Sequence, residues 1–239
     1  MQELLTIFKK AFSVIQIHWF SLLTITLITE GTVLFTQMYW SGFLSQQNFG
    51  MFGNMQGLIK GILGLMMISI LTPIGKSAAA YLINKKETNL LAGLQAYLAV
   101  FKKLHLVLVA GLIWFVGTFI GVAFLVIPGI IFFFGSQFTI QILVVENVGV
   151  LGAFKKSWKL VKQDIWSVIA VFLIVEITQG IIGSIITSTI LSVLPSAKGF
   201  VLDWFVAIFM AILVYVPIAV MYLERKERGV GDVDNKHFS

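Results

Sequence analysis

The stretch LHLVLVAGLIWFVGTFIGVAFLVIPGIIFFFGSQFTIQILVV, Leu104–Val145, decides the fold of this chain, because its 42 residues include no aspartate, glutamate, lysine or arginine. As one helix it would be ~63 Å long, about twice the hydrocarbon core of a bilayer. Pro128-Gly129 lies near its middle, and a Pro-Gly pair is a turn signal. The stretch therefore predicts a hairpin of two transmembrane helices, Leu104–Ile127 and Ile130–Val145, joined by a very short turn.

The composition of the whole chain agrees with a membrane protein. Of 239 residues, 58% are hydrophobic and 12% are charged, and the mean hydropathy is +0.96. A soluble domain carries about 25% charged residues, so lipid must be the solvent for most of this surface. The chain has no cysteine, which excludes disulfides, thiolate metal sites and cysteine nucleophiles.

Four further apolar stretches are long enough to cross a membrane, and with the hairpin they predict six spans. The second stretch is the least regular, because Lys60 and Lys76 bracket its uncharged part. The predicted fold class is all-α: a polytopic membrane protein with six transmembrane helices. The four further spans are Trp19–Trp40, Gly57–Leu82, Trp166–Leu194 and Phe200–Leu223.

The basic residues predict the orientation of these spans. Fifteen of the 17 lysines and arginines lie in the N-terminal segment, the second-to-third connection, the fourth-to-fifth connection and the C-terminal segment. Only Lys60 and Lys198 fall on the other side. Because basic loops stay in the cytoplasm, both termini are predicted to be cytoplasmic.

A short motif, Leu-x-x-Phe-Lys-Lys, indicates a threefold internal repeat. It occurs at Leu5–Lys10, Leu98–Lys103 and Leu151–Lys156, each time before an odd-numbered span. Phe8–Glu30 also aligns without a gap with Phe154–Glu176, with seven identities in 23 positions. The predicted unit is an interfacial helix followed by a hairpin of two spans. The units are approximately 1–87, 88–146 and 147–228 of a single membrane domain spanning 1–239, with 229–239 as a flexible cytoplasmic tail.

The segments that carry the motif are typical of amphipathic helices lying in the membrane interface. In the third copy the aromatic and aliphatic residues recur at helical spacing, and the lysines fall largely on the opposite face. We interpret them first as topogenic anchors, with a docking surface for lipid headgroups or a partner as the alternative. Each lysine would gain ~1 kcal/mol from an anionic inner leaflet. The interfacial residues are Phe8, Lys9, Lys10, Phe101, Lys102, Lys103, Phe154, Lys155 and Lys156.

One part of the chain, Leu125–Trp166, resembles the YciC-like family of bacterial inner-membrane proteins. It is also similar to the membrane domain fused to some glycerophosphodiester phosphodiesterases. The resemblance rests on the run Val126–Ile131, the acidic Glu146, and the pattern Ala153-x-x-x-Ser157-x-x-Leu160. The resemblance implies localisation in a bacterial inner membrane and says little about activity. The phosphodiesterase catalytic domain has no counterpart here.

Two carboxyl groups are predicted to lie near the middle of the bilayer. Glu30 follows Trp19 by 11 residues and Glu176 follows Trp166 by 10, which places both ~15 Å into the core. Ionisable groups at that depth mark functional sites in membrane proteins, although protonated Glu and Gln also act as interhelical hydrogen-bond glue. The sequence thus predicts one buried polar cluster, formed by Glu30, Glu176, Gln179, Gln137 and Gln141.

Motifs for catalysis or for metal and cofactor binding are not found. The three histidines are dispersed with no HExxH, and there is no Gly-rich phosphate loop. No cofactor or metal is therefore expected. Lys76 and Glu146 are both expected near the cytoplasmic boundary, where they could pair, but the favoured interpretation is a lysine that snorkels to the interface.

We expect a non-enzymatic membrane protein that organises or assists other envelope components. The alternative is a small secondary transporter that uses Glu30 and Glu176 for proton or cation coupling. The first interpretation leads because broken helices at mid-depth favour transport, and no predicted span has a Gly/Pro break there. Expected partners are the lipid bilayer with its anionic inner leaflet, and a second copy or another membrane protein; nucleic acid is not expected.

Overall fold

The structure is a computed structural model that describes residues 2–45, 71–89, 91–124, 126–193 and 200–236. Within these ranges every regular element is a helix. In chain order they are α1 (Gln2–Ser45), α2 (71–85), α3 (Ala92–Phe101), α4 (Leu104–Phe124), α5 (Val126–Gly135), α6 (Thr139–Glu146), α7 (Val150–Gln163), α8 (Ile165–Val193) and α9 (Phe200–Lys236).

Five stretches of the described residues are long and apolar enough to cross a membrane, as expected for a multi-pass protein. They overlap five of the six predicted spans. Most of the remaining one, Gly57–Leu82, lies outside the described residues, and only its last part is seen, in α2. The five stretches are Gln2–Thr36, Leu104–Phe124, Val126–Glu146, Ile165–Ile190 and Phe205–Arg228.

Helices α4 and α5 pack against each other as expected for the predicted hairpin, but Pro128-Gly129 lies inside α5 and not between the two helices. Helix α4 ends at Phe124 and α5 begins at Val126, so Pro128-Gly129 falls in the first turn of α5. Proline is tolerated there because the first N–H groups of a helix have no intrahelical partner. Gly129 serves close packing instead: a Cβ on Gly121 would lie 2.6 Å from the Gly129 Cα.

The fourth span consists of two helices, not the continuous helix predicted over Ile130–Val145. Helix α5 ends at Gly135 and α6 begins at Thr139, with a turn over 136–138 between them. The sequence shows no Gly/Pro break at mid-depth in any span, and this interruption forms without one. Neither proline nor a Gly pair marks it, which explains why the sequence pattern did not reveal it.

Each helix that carries the Leu-x-x-Phe-Lys-Lys motif bends or ends before the next span. Helix α1 has non-helical backbone angles at His18 (φ −108°, ψ 17°). Helix α3 ends at Phe101, and α7 ends at Gln163. At the other terminus, α9 continues as a helix to Lys236, through most of the predicted tail.

Helix α9 is the centre of the bundle, and α1 and α8 pack against it. In its most apolar window 72% of the residues are buried, against 17% for α4 and for α8. Large side chains on the outer helices are exposed, among them Phe124 (82%) and Trp166 (77%). A helix that is apolar on all sides yet exposed is expected where lipid covers it.

Candidate functional site

A cavity of about 370 Å³ lies between α2, α4, the α5–α6 break and α8. Its volume falls within the range of small-molecule sites. Most of the wall is apolar and aromatic, and two charged side chains, Lys76 and Glu176, share it. The lining residues that matter below are Lys76, Trp114, Ser136, Gln137, Thr139, Phe172 and Glu176.

The break beside this cavity is held open by α7. The Ser157 hydroxyl donates to the Gly135 carbonyl oxygen at 2.8 Å and accepts from the Phe138 N–H at 3.1 Å. The Trp158 ring occupies the space beside Gly135, where a Cβ would come within 1.9 Å of it. One buried side chain thus satisfies a backbone group on each side of the break, as a buried interruption requires.

The N-terminus of α6 faces the cavity with unused hydrogen-bonding capacity. Phe138 precedes it and provides no side-chain cap. The Thr139 hydroxyl, in a residue only 1% exposed, has no partner among the described residues. Nor do the N–H groups of Ile140 and Gln141 meet an acceptor within that part of the chain. A helix N-terminus with free N–H groups carries partial positive charge.

Lys76 and Glu176 place opposite charges on the same cavity. The Lys76 ammonium lies 5.1 Å from the centre of the Phe172 ring, within cation–π range. It is within electrostatic reach of both Glu176 and Glu30. Across the described ranges, neither Lys76 nor Glu176 forms a hydrogen bond or a direct ion pair with another side chain. Glu146 pairs with Lys156 and accepts from Tyr222, so the less favoured Lys76–Glu146 pairing does not form.

Glu30 also interacts electrostatically with Lys76 and has a hydrogen-bond partner of its own. Its carboxylate accepts a hydrogen bond of 2.7 Å from the Tyr215 hydroxyl of α9. Tyr215 is 2% exposed, so this contact joins α1 to the centre of the bundle. The two predicted carboxyls are therefore linked through one lysine.

The three glutamines of the predicted polar cluster lie in three different places in the structure. Gln137 lines the cavity, and Gln179 lines an adjoining open groove of about 660 Å³ between α8 and α9, to which Glu176 also contributes. Gln141 is buried apart from the cavity, and its amide has no partner in the described part of the chain. Gln137 and Gln141 are four residues apart and would share a face on one continuous helix, but α6 begins only at Thr139.

A second polar cluster lies at the lysine-rich end of the bundle, which we call the basic end. Glu146 accepts from the Tyr222 hydroxyl at 2.9 Å and pairs with Lys156. Lys103 donates to the last carbonyls of α6, at 3.1 Å to Leu143 and 2.9 Å to Val144. Burial lowers the pKa of the Lys103 ammonium. Cations at a helix C-terminus stabilise its free carbonyls.

The C-terminus of α7 is closed in the same way by Arg225. This residue is 2% exposed, and its guanidinium donates to the carbonyls of Leu160 and Asp164, at 2.9 Å each. Asp164 in turn caps α8, because its carboxylate accepts from the Ser167 N–H at 3.1 Å. Burial would raise the pKa of the Asp164 carboxyl, but its hydrogen bonds to Ser167 and the nearby Arg225 lower it below its usual value.

The two clusters lie at different heights along the helices. Glu176 follows the start of α8, Ile165, by 11 residues, and Tyr215 precedes Arg225 on α9 by 10. At about 1.5 Å per residue, the groups around Lys76 are ~15 Å from the basic end. This is close to half of a bilayer core.

Several predicted interfacial lysines contact the bundle. Lys103 and Lys156 do so as described, and Lys10 pairs with Glu224 at 2.6 Å. Lys9, Lys102 and Lys155 are exposed. Of the three motif phenylalanines, Phe8 and Phe154 pack partly against the core and Phe101 is 61% exposed.

Sequence reasoning missed Thr139, Tyr215 and Arg225 as site residues, and treated Ser157 only as part of a resemblance. Arg225 was counted as an orienting charge, and no local pattern distinguishes it from Lys226. A signal did exist for Ser157, since the pattern Ala153-x-x-x-Ser157-x-x-Leu160 consists of residues buried on one face of α7. In the described residues, no group of three or more potential metal ligands comes together.

A comparison with protein families identifies the family of the chain. Residues 61–223 match the family described as domain of unknown function DUF7847. The chain belongs to the DUF7847 family. The DUF7847 region covers about two thirds of the 239 residues and includes Lys76, Thr139 and Glu176, whereas Glu30 precedes it. No curated protein and no solved structure matched the chain.

Proposed function

We propose that this DUF7847 protein is a non-enzymatic, small secondary transporter. Its solute site is the cavity at the α5–α6 break, and Glu30 and Glu176 bind the coupling proton or cation. The observation that carries the proposal is the interrupted fourth span beside a cavity with two charged side chains that have no direct ion-pair partner among the described residues. Broken helices in the membrane form the substrate sites of many secondary transporters.

The cost of this arrangement supports a role beyond structure. Charged side chains inside a bilayer cost several kcal/mol unless they are paired or hydrated, and irregular backbone is tolerated at that depth only inside protein or along a wet cavity. Lys76, Glu176 and the turn over 136–138 meet at one cavity. A bundle that needed only stability would be served by apolar residues there.

The coupling step would use the two carboxyls that interact with Lys76. Because both interact with the same ammonium, protonation of one carboxyl strengthens the hold of Lys76 on the other. Proton binding at Glu176 would thus change the charge that faces the cavity, and proton binding at Glu30 would weaken its link to Tyr215.

For localisation, we propose a bacterial inner membrane. For topology, we propose six transmembrane spans with the basic end in the cytoplasm. Support comes from the distribution of lysines and arginines and from the YciC-like resemblance. The exposed Lys155 would contact anionic lipid. In this cysteine-free chain, Lys155→Cys should react with an impermeant thiol reagent only after permeabilisation, and Phe124→Cys in intact cells. Reaction of Lys155→Cys in intact cells would overturn the orientation.

The organising role remains the second candidate, and one observation favours it. The Glu30–Tyr215 hydrogen bond and the shared Lys76 join α1, α2, α8 and α9. In that case the cluster is interhelical glue. Replacing either carboxyl by an amide would then have no pH-dependent consequence.

The deciding experiment is transport by the purified protein in liposomes that contain a pH-sensitive dye. A panel of amino acids, organic acids, amines, sugars and inorganic ions is added under an imposed pH gradient. We expect solute-dependent proton movement in the wild type, and its loss in Glu30→Gln and Glu176→Gln with the melting temperature retained. Glu3→Gln, at the exposed basic end, is the control and should transport normally.

Two outcomes would overturn the transport proposal. One is a wild type that moves protons with no member of the panel. The other is flux that persists unchanged in both amide variants, because the coupling groups would then lie elsewhere.

A further inference from the structure

We infer that the cavity binds a small zwitterion with an apolar side group, of the class of an aliphatic α-amino acid. Its carboxylate would lie against Lys76, Thr139 and the N-terminus of α6, and its ammonium against Glu176. This inference deepens the proposed function and rests on it.

The anionic end is specified by three independent features of the wall. The Thr139 hydroxyl is buried and without a partner in the described residues, although buried polar groups are almost always bonded. The first turn of α6 presents uncapped N–H groups, which bind anionic oxygen. Lys76 adds a full positive charge on the same cavity. A carboxylate satisfies all three at once.

The cationic end is specified by Glu176. Its carboxylate lines the same cavity, and no described side chain forms a direct ion pair with it. Against a ligand with only negative charge it would be repulsive. With Lys76 and Glu176 together the wall carries one charge of each sign, so a ligand with one charge of each sign is complementary to it.

The space between the charged groups is apolar. Trp114, Phe172 and Leu173 contribute aromatic and aliphatic wall, and Ala110 leaves room beside them. An aliphatic side group gains there about 25 cal/mol for each Å² removed from water. Sugars and inorganic ions have no such group to place, which favours an amino acid with a branched aliphatic side chain.

Binding is tested with leucine and two analogues that each lack one charged group, 4-methylpentanoate and 3-methylbutylamine. The protein is held in nanodiscs of phosphatidylcholine and phosphatidylglycerol, so that the amine of phosphatidylethanolamine does not compete. We expect leucine to bind at least about tenfold more tightly than either analogue, because each analogue leaves a charge in the wall unpaired.

Two variants assign the ends of the ligand. Glu176→Gln should lower the affinity for leucine about tenfold or more. Its affinity for 4-methylpentanoate should be unchanged or higher. Thr139→Val should lower the affinity for leucine and for 4-methylpentanoate, which both carry a carboxylate, and leave the affinity for 3-methylbutylamine unchanged. Its melting temperature should equal that of the wild type. Ser184→Ala is the control: its hydroxyl bonds to the Gly180 carbonyl on α8, outside the cavity, and its leucine affinity should match that of the wild type.

The outcomes separate this inference from the transport proposal. Equal binding of leucine and 4-methylpentanoate would overturn the zwitterion, as would leucine binding that survives both variants. If leucine does not bind while carboxyl-dependent proton flux persists in liposomes, the ligand class is wrong and transport stands. If leucine binds as expected but no flux is seen, the ligand class stands and transport is wrong.

Discussion

The two polar clusters of this bundle are built from similar residues but are completed to different degrees. At the basic end, the carboxylate of Glu146 meets partners within the protein, and so do both terminal nitrogens of the Arg225 guanidinium, whose Nε alone has no partner among the described residues. About 15 Å away, the Lys76 ammonium, the Glu176 carboxylate and the Thr139 hydroxyl share a cavity and lack direct polar partners among the described residues.

This difference distinguishes polar side chains that stabilise a membrane protein from polar side chains that serve its function. A polar group whose hydrogen bonds are all made within the fold contributes stability, and its loss is expected to unfold the protein. A buried group left incomplete, as the Thr139 hydroxyl is among the described residues, costs stability. Its retention is therefore explained best by a ligand that completes it.

The largest effect on stability is expected at Arg225. In Arg225→Leu the carbonyls of Leu160 and Asp164 lose their donors inside the bundle, which should lower the free energy of unfolding by about 3 kcal/mol. Thermal unfolding in detergent measures it. Lys226→Leu, at the next residue, removes only an exposed bond to Asn84 and should stay within about 0.5 kcal/mol of the wild type. Equal effects of the two variants would remove the distinction between the clusters.

A smaller and pH-dependent effect is expected at Asp164. Asp164→Ala removes the cap of α8 and should cost about 1 kcal/mol at pH 7. Because the folded pKa of Asp164 is lowered, this stabilisation is present above the unfolded pKa and is lost as the pH falls through the folded one. The difference between variant and wild type should therefore shrink in acid. For the exposed Glu227→Ala we expect no such convergence.

The smallest effect on stability is expected at the cavity itself. Thr139→Val removes a hydroxyl that has no partner in the described part of the chain, so the unfolding free energy should be unchanged or rise by up to about 1 kcal/mol. Ser157→Ala, on the other side of the same break, loses two buried hydrogen bonds and should cost about 2 kcal/mol. A loss of stability in Thr139→Val as large as that in Ser157→Ala would mean that Thr139 has a structural partner, and the cavity would lose its main indicator of a ligand.

Hydrophobic pattern alone was enough for the membrane class, the α4–α5 hairpin and five of the spans. The reason is that the bilayer imposes its thickness on the sequence, so each crossing appears as about 20 apolar residues. The prediction that Glu30 and Glu176 meet followed from their position along each span; in the structure each interacts electrostatically with Lys76, and one shared cluster stays a prediction. The sixth predicted span and the threefold repeat remain predictions.

The sequence alone was enough to predict which segments enter lipid and roughly how deep each polar residue lies. Both depend only on distance along one helix. Which groups meet across helices was decided only by the tertiary structure. Helix α5 ends where it does because Ser157 and Trp158, some 20 residues later, occupy the break. Lys76 faces Glu176, and Glu146 faces Tyr222 and Lys156, because packing around α9 sets the rotation of each helix. No periodicity within a single helix carries that information.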